Sequence, residues 1–508
     1  MEQKTLLQQI ELFELELMQE YHQHSLGITE TINTETIYKK FNELFKKEHI
    51  TTQKTVLKTL TDHFQKREHT YLLKFFIEHW LEHHLTKLSD TLSNKEASAT
   101  VTWKDKKIPL RQLGIEIANT PEQQTRKQMY ELSIPIKEEL LKLEKEILEK
   151  ANTLRTELGY NTEIELYKEL KEVDYKQLLQ QLLPLLTQTE TIYTHQLKKL
   201  LKQHNLYINN IHHYDLSFLM RAKQFDTHFP KEQAISTLKQ TWLSLGFDLN
   251  TQKNIIIDAE ERPKKVPRAY CMPLKVPQEV HLVIKPKGGQ DDYQALLHES
   301  GHSQHYANTN NELPYPFKHM GDHAVSETYA FLLEYLTLSK EWLTTYTSLK
   351  EESLTNYLDF NWLINLFFVR RYIAKFIYEM KFYSNDLRKL DKEFQPTNQT
   401  YNSRAAMYNH ILTQATHFDY PEINYLSDID SGFYVADYLR AWVMEAQLRS
   451  VLINKFTNTW FTNKEAGDYL KTYWTHGNKL NINEIAKQAG FQNLDIQPLL
   501  QQLSHPPT

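Results

Sequence analysis

The chain has 508 residues, of which 40% are hydrophobic, 12% aromatic and 24% charged, a balance typical of a folded globular protein and not of a disordered one. Its formal net charge is -5 with both signs interspersed, so it lacks the basic surface that a nucleic-acid-binding protein needs. Only 12 glycines and 17 prolines occur, which favours a mostly helical protein.

The cysteine content and the N-terminal residues indicate the compartment. A single cysteine, Cys271, excludes an internal disulfide and is typical of a reducing environment. The N-terminus leads into an acidic amphipathic stretch instead of an apolar signal core, and no run approaches the roughly 18 apolar residues of a membrane span. We therefore expect a cytoplasmic protein without nucleic-acid or membrane partners, and the sequence leaves its oligomeric state open.

Helical periodicity dominates the N-terminal part of the chain. Residues 101–103 with 108–110 form either a short hairpin or an extended link. Helical patterns then continue to about residue 201. We divide the chain into an N-terminal helical region, 1–120, and a second helical region, 121–508, and expect both to be parts of one compact unit.

The pattern changes to that of strands after residue 254. Residues 255–257 are a β-branched run, and residues 279–285 alternate in the manner of a strand. The second segment is either an ordinary core strand or a strand with a free edge to which a peptide adds by backbone hydrogen bonds. Asp291 or Asp292 is expected to cap the helix that follows, and another helix is expected over residues 324–338.

The helix after the strands carries the motif His298-Glu299-Ser300-Gly301-His302. Two imidazoles four residues apart share one helix face and can bind the same metal ion. Glu299 is placed to take a proton from a metal-bound water. Gly301 leaves the helix surface open, and we expect it to permit close packing against a second helix that supplies a metal ligand.

A catalytic zinc ion needs a third protein ligand besides the two histidines. No histidine stands six residues after His302, where the residue is Asn308, so we expect a carboxylate from a later helix. Glu327 lies 25 residues beyond His302, on a predicted helix that can return antiparallel to the first. Glu334, two turns further along the same face, is expected to orient a ligand by a hydrogen bond.

The motif and its spacing resemble the thimet oligopeptidase and oligoendopeptidase F family of zinc metallopeptidases. That family combines H-E-x-G-H with a later glutamate in an E-x6-E context, as His298–His302, Glu327 and Glu334 do here. The segment 257–271 is also similar to the approach to the family's active site, and Asp292 stands where the family tends to place an aspartate that supports the site. The resemblance is firm over about residues 255–340.

The resemblance implies a mainly α, two-lobed helical zincin-type fold with a central channel and a small β-sheet next to the active-site helix. It implies one Zn²⁺ per chain, held by His298, His302 and Glu327, with Glu299 as the general base. A channel of this kind would limit the substrates to short peptides.

A second site of resemblance lies downstream. Phe433-Tyr434-Val435 is similar to the F-Y-V of oligoendopeptidase F, in which a tyrosine of the same helix donates a hydrogen bond to the oxyanion. Tyr438 or Tyr434 is the candidate for that role. The family places a histidine ten residues before Tyr438, but this chain has Asp428 there. Asp428 or Asp430 is a candidate for binding a substrate amine.

The sequence thus predicts a zinc-dependent peptidase that cleaves short peptides internally, with a zinc-bound water attacking the scissile carbonyl after Glu299 takes its proton. The alternative is a metallocarboxypeptidase resembling carboxypeptidase Taq, in which Arg268 or Arg440 would bind the C-terminal carboxylate of the substrate. A non-catalytic peptide-binding protein of the same fold is the less favoured alternative.

Overall fold

Helices make up most of the computed structural model, which describes residues 3–384 and 401–506. The helices that precede the active-site sheet are α1 Gln3–Ser25, α2 Thr34–Lys40, α3 Lys47–Thr59, α4 His63–Ser98, α5 Leu110–Ala118, α6 Gln123–Glu131, α7 Ile134–Glu157, α8 Glu163–Lys171, α9 Tyr175–Gln203, α10 His213–Met220 and α11 Ala234–Ser244. Those that follow it are α12 Gln290–Ala307, α13 Tyr315–His319, α14 His323–Glu334, α15 Lys340–Tyr346, α16 Glu351–Phe382, α17 Arg404–Thr416, α18 Tyr434–Phe456, α19 Lys464–Trp474, α20 Ile482–Gln488 and α21 Gln497–Ser504.

Within the described residues, five strands form two small sheets. Strands β1 Thr100–Trp103 and β2 Lys106–Pro109 make an antiparallel hairpin, so the hairpin reading of this segment is confirmed. Strands β3 Ile255–Asp258, β4 Tyr270–Lys275 and β5 Glu279–Val283 form the second sheet in the order β3-β5-β4. Strand β5 is parallel to β3 and antiparallel to β4. The second sheet packs directly against α12.

The position of β5 decides between the two readings of residues 279–285. The reading with a free edge is wrong, because β5 is the central strand and both of its edges are hydrogen-bonded to neighbours. Val280 and Leu282 are fully buried, as expected of an ordinary core strand. Strand β4 is an outer strand of this sheet, and it lies beside the helix with the histidine motif.

The start of α12 also differs from the prediction. The helix begins at Gln290 with Gly289 at its N-cap, in a left-handed conformation with φ of 94° that favours glycine. Asp292 does not cap this helix. Its Oδ2 atom instead accepts hydrogen bonds of 2.6 Å from the backbone N–H groups of Lys287 and Gly288, which fixes the loop between β5 and α12.

One large cluster of buried apolar side chains extends from Ile10 to Leu503 and joins most of the helices. The mainly helical fold with a small sheet beside the motif helix is therefore confirmed. Among the described residues, no helix combines the length and the apolar character needed to cross a membrane.

Candidate active site

Helices α12 and α14 bring the two halves of the candidate metal site together, and they touch at Gly301. A Cβ atom on Gly301 would lie 2.4 Å from the carbonyl oxygen of Tyr329 and 2.6 Å from Cα of Ala330, both on α14. The expected close packing of Gly301 against a second helix is thus confirmed. Because only a glycine allows this approach, the residue brings Glu327 of α14 within reach of the motif histidines.

Three candidate ligand atoms converge between these helices. The Oε2 atom of Glu327 lies 3.4 Å from Nε2 of His298 and 3.5 Å from Nε2 of His302. The ligand atoms of the three residues all lie within 4.8 Å of one another. Glu327 is 3% exposed, so this arrangement is a buried feature of the fold and not a chance meeting at the surface.

The other nitrogen of each histidine has its own partner. Nδ1 of His298 lies 2.7 Å from Oε2 of Glu334, and Nδ1 of His302 lies 2.7 Å from Oγ of Ser326. The second oxygen of Glu334 accepts a hydrogen bond from Gln294 at 2.6 Å. These contacts fix both rings and leave their Nε2 atoms directed at Glu327. Ser326 and Gln294 were missed by the sequence analysis, since no spacing pattern marks them.

Two tyrosines from α18 border the cluster. The hydroxyl of Tyr434 donates a 2.7 Å hydrogen bond to Oε1 of Glu327, so it already has a partner within the protein. The ring of Tyr438 packs 4.9 Å from the ring of Tyr434 and 5.6 Å from that of Phe331. Within the described part of the chain, the Tyr438 hydroxyl makes no hydrogen bond, which leaves it available to a substrate.

The pKa values of Glu327 and Glu299 are shifted in opposite directions. Burial acts to raise the pKa of Glu327, but the adjacent imidazoles of His302 and His298 outweigh it and hold that pKa well below its usual range. Burial also raises the pKa of Glu299, and here the charges of His298 and His302 oppose the shift without overcoming it. Glu327 therefore favours the anionic form, while Glu299 holds a proton more readily than an ordinary glutamate.

The donor set fits a zinc ion. Two imidazoles and one carboxylate match the ligands of catalytic zinc sites, and Oε2 of Glu327 is a buried oxygen without a hydrogen-bond partner. Ligands about 2.0–2.1 Å from a tetrahedral ion stand about 3.3 Å apart. The separations of 3.4 and 3.5 Å between Glu327 and the two Nε2 atoms agree with that value.

The downstream aspartates are largely engaged within the protein. Asp428 binds Nη2 of Arg371 through both carboxylate oxygens, at 2.6 and 2.8 Å, and accepts a 2.9 Å hydrogen bond from the Tyr408 hydroxyl. We therefore correct the assignment of Asp428 to a substrate amine, because its charge is neutralised by Arg371. Asp430 pairs with Lys375 at 2.7 Å but keeps Oδ2 without a partner, so its contact with a substrate stays a prediction.

The other predicted site residues are Arg440, Arg268 and Asp292. Arg440 is buried and binds Asp322 at 2.7 Å and Asp437 at 2.6 Å, so it is not free to bind a substrate carboxylate, and that assignment is also corrected. Arg268 is exposed in the loop before β4, and its substrate contact stays a prediction. Asp292 holds the loop before α12 and makes no contact with His298 among its described hydrogen bonds, so its supporting role at the site stays a prediction.

Solved structures of other proteins share the fold of this chain. The chain is similar to PZ peptidase A bound to an inhibitor, with 16% identity and a TM-score of 0.68, over 97% of this chain and 89% of that one. It is also similar to a candidate oligoendopeptidase F from Bacillus anthracis strain Ames, with 17% identity and a TM-score of 0.64, over 95% and 86% of the two chains. No curated protein matches.

A match to a protein-family model assigns the family of this chain. The model of peptidase family M3 matches residues 117–505, which is well over half of the chain and includes both helices of the candidate metal site. The resemblance drawn from the histidine motif is thereby confirmed, and the chain belongs to peptidase family M3.

Proposed function

We propose that this peptidase is zinc-dependent and hydrolyses bonds within short peptides. The observation that carries the proposal is the unpartnered Oε2 of Glu327, which faces the Nε2 atoms of His298 and His302 while other side chains hold the Nδ1 atoms. Members of family M3 are generally zinc-dependent, which agrees with this donor set. His298, His302 and Glu327 would hold the ion.

When bound, zinc supplies Lewis acidity that lowers the pKa of water and polarises a carbonyl group. Glu299 projects from the turn that carries His298, and its carboxylate takes the proton of the attacking water. Burial favours this step, because a raised pKa makes the carboxylate a stronger base. The same carboxyl group then returns the proton to the leaving amine.

Tyr438 is assigned to the carbonyl oxygen of the scissile bond, and Tyr434 to the positioning of Glu327. Burial, followed by the charge of Glu327, raises the pKa of the Tyr438 phenol, so it remains a neutral donor. Tyr434 donates to Glu327 Oε1 and therefore holds the carboxylate with Oε2 directed at the imidazoles. The Tyr434 hydroxyl is bound to Glu327, whereas the Tyr438 hydroxyl makes no hydrogen bond within the described part of the chain. Tyr438 is therefore favoured over Tyr434 as the oxyanion donor.

The carboxypeptidase alternative loses one of its two candidate arginines. Arg440 was a candidate for binding a terminal carboxylate, but its guanidinium is shared between Asp322 and Asp437. Of these two arginines, Arg268 keeps that possibility, and no contact among the described residues places it beside the metal cluster.

The test combines metal analysis with a digest of mixed peptides by the wild type and by Glu299→Gln. We expect about one zinc ion per chain in both proteins, and turnover reduced by a factor of about 100 or more in the variant. Glu312→Gln, which changes an exposed carboxylate in the loop after α12, is the matched control and should keep full activity. Unchanged turnover by Glu299→Gln would show that another group acts as the base.

A further inference from the structure

The first turn of α14 lies in a group of charged side chains that the proposed chemistry does not use. Arg440 of α18 binds Asp322 and Asp437, and Nζ of Lys171, at the end of α8, lies 2.6 Å from Asp437. These two cations share the two carboxylates. The three helices α8, α14 and α18 are thus joined here by ion pairs that are already complete.

Lys74 of α4 is a third cation beside this group, and it lacks a counter-ion. The residue is 7% exposed, and its Nζ atom donates a 3.3 Å hydrogen bond to the carbonyl oxygen of Gly321. Within residues 3–384 and 401–506, no carboxylate lies at ion-pair distance from this ammonium group. A buried charge without a counter-ion is costly, so this position favours an anion that arrives from outside.

His323 follows Gly321, the residue that Lys74 contacts, by two positions. It is exposed, whereas residues 324–333 of α14 are all buried. Desolvation, followed by the charge of Lys74, lowers the pKa of His323 to about 4, so its imidazole is neutral near pH 7. Its imidazole has no hydrogen-bond partner in the described part of the chain and is a free neutral donor.

His323 is adjacent to the candidate metal cluster. His323 and Glu327 are four residues apart on α14, and such positions share one helix face. Tyr434 contacts both of them, since its ring lies 5.1 Å from the ring of His323 and its hydroxyl binds Glu327. The two sites are separated by one helical turn, about 5–6 Å.

We propose that Lys74 and His323 form a subsite for the C-terminal carboxylate of the peptide substrate. The proposal rests on the peptidase function of the neighbouring metal cluster. Lys74 supplies the positive charge and His323 an N–H donor, a combination that suits a carboxylate. A carboxylate held about 6–10 Å from the scissile carbonyl places cleavage about two or three residues from the C-terminus, at about 3.3–3.6 Å per residue.

Binding of paired peptides to a Glu299→Gln protein tests the subsite without hydrolysis. The two peptides have one sequence and end in either a free carboxylate or an amide. We expect the acid to bind about tenfold more tightly than the amide, the size of a charge-assisted hydrogen bond. Adding Lys74→Met should weaken binding of the acid to the level of the amide and leave the amide unchanged. Lys87→Met, at an exposed position of the same helix, is the control and should change neither.

Equal affinity of the Glu299→Gln protein for acid and amide would overturn the subsite, as would a Lys74→Met variant that weakens both peptides alike. If Lys74→Met does not fold, His323→Phe provides the same comparison. Hydrolysis by the wild type distinguishes the two proposals. If neither peptide is cleaved but the acid still binds more tightly, the peptidase proposal fails and the subsite stands. If both are cleaved with equal kcat/KM and bind equally, only the subsite fails.

Discussion

Gly301 is the point at which α12 and α14 meet backbone to backbone, and Gly301→Ala tests how far the metal cluster depends on that contact. The added Cβ would stand 2.4 Å from the carbonyl oxygen of Tyr329, whereas ordinary contact begins at 3.4 Å. The helices must therefore move apart by about 1 Å. Glu327 lies in the turn of α14 that precedes this contact, so its carboxylate moves with the helix.

The expected loss is larger for the site than for the fold. Overpacking costs about 1–3 kcal/mol, and the higher helix propensity of alanine offsets about 1 kcal/mol of it, so the free energy of unfolding falls by about 0–2 kcal/mol. The gaps of 3.4 and 3.5 Å between Glu327 and the imidazoles widen by a substantial fraction. We expect zinc affinity to fall about 10- to 100-fold and turnover about 100-fold.

Zinc affinity is measured by competition with a chromogenic chelator, beside thermal unfolding and peptide turnover. Gly114→Ala is the matched control, because Gly114 is an exposed residue within α5 whose added Cβ meets nothing within 4 Å. It should raise the free energy of unfolding by about 0.5–1 kcal/mol and leave turnover unchanged. If Gly301→Ala binds zinc as tightly as the wild type, the close helix contact does not position Glu327.

Further predictions concern the tyrosines, the partner of His298 and a buried carboxyl group. Tyr438→Phe should lower kcat about 100-fold at unchanged zinc content, whereas Tyr434→Phe should weaken zinc binding about tenfold; the reverse pattern would exchange their roles. Glu334→Gln should weaken zinc binding about 10- to 100-fold in a chelator competition, because His298 loses its charged partner. Burial raises the pKa of Glu14 to about 7, so wild-type stability should fall as pH rises from about 4.5 to 7, by up to about 3 kcal/mol. Urea unfolding of Glu14→Gln should lack that decline, and an identical pH profile would contradict it.

Local periodicity accounts for the parts of the site that could be read directly from the chain. Residues three, four and seven apart share one helix face, so His298 and His302 could be paired, and Glu334 could be placed on the same side of α14 as Glu327. Gly301 could be assigned to a helix contact because a missing side chain inside a helix leaves room for a neighbour. These inferences need only the geometry of one helix at a time.

Contacts between distant segments had to come from the tertiary structure. Asp428 pairs with Arg371, 57 residues away in the sequence, and Arg440 pairs with Asp322, 118 residues away. Each pair neutralises a side chain that the sequence had suggested for substrate binding. Lys74, more than 200 residues from the metal cluster in sequence, was not singled out at all. No periodicity relates such residues, since the packing of helices chooses their partners. The H-E-x-x-H motif therefore determined the prediction of a metal site in this protein, while helix packing decided which charged side chains have partners within the described part of the chain.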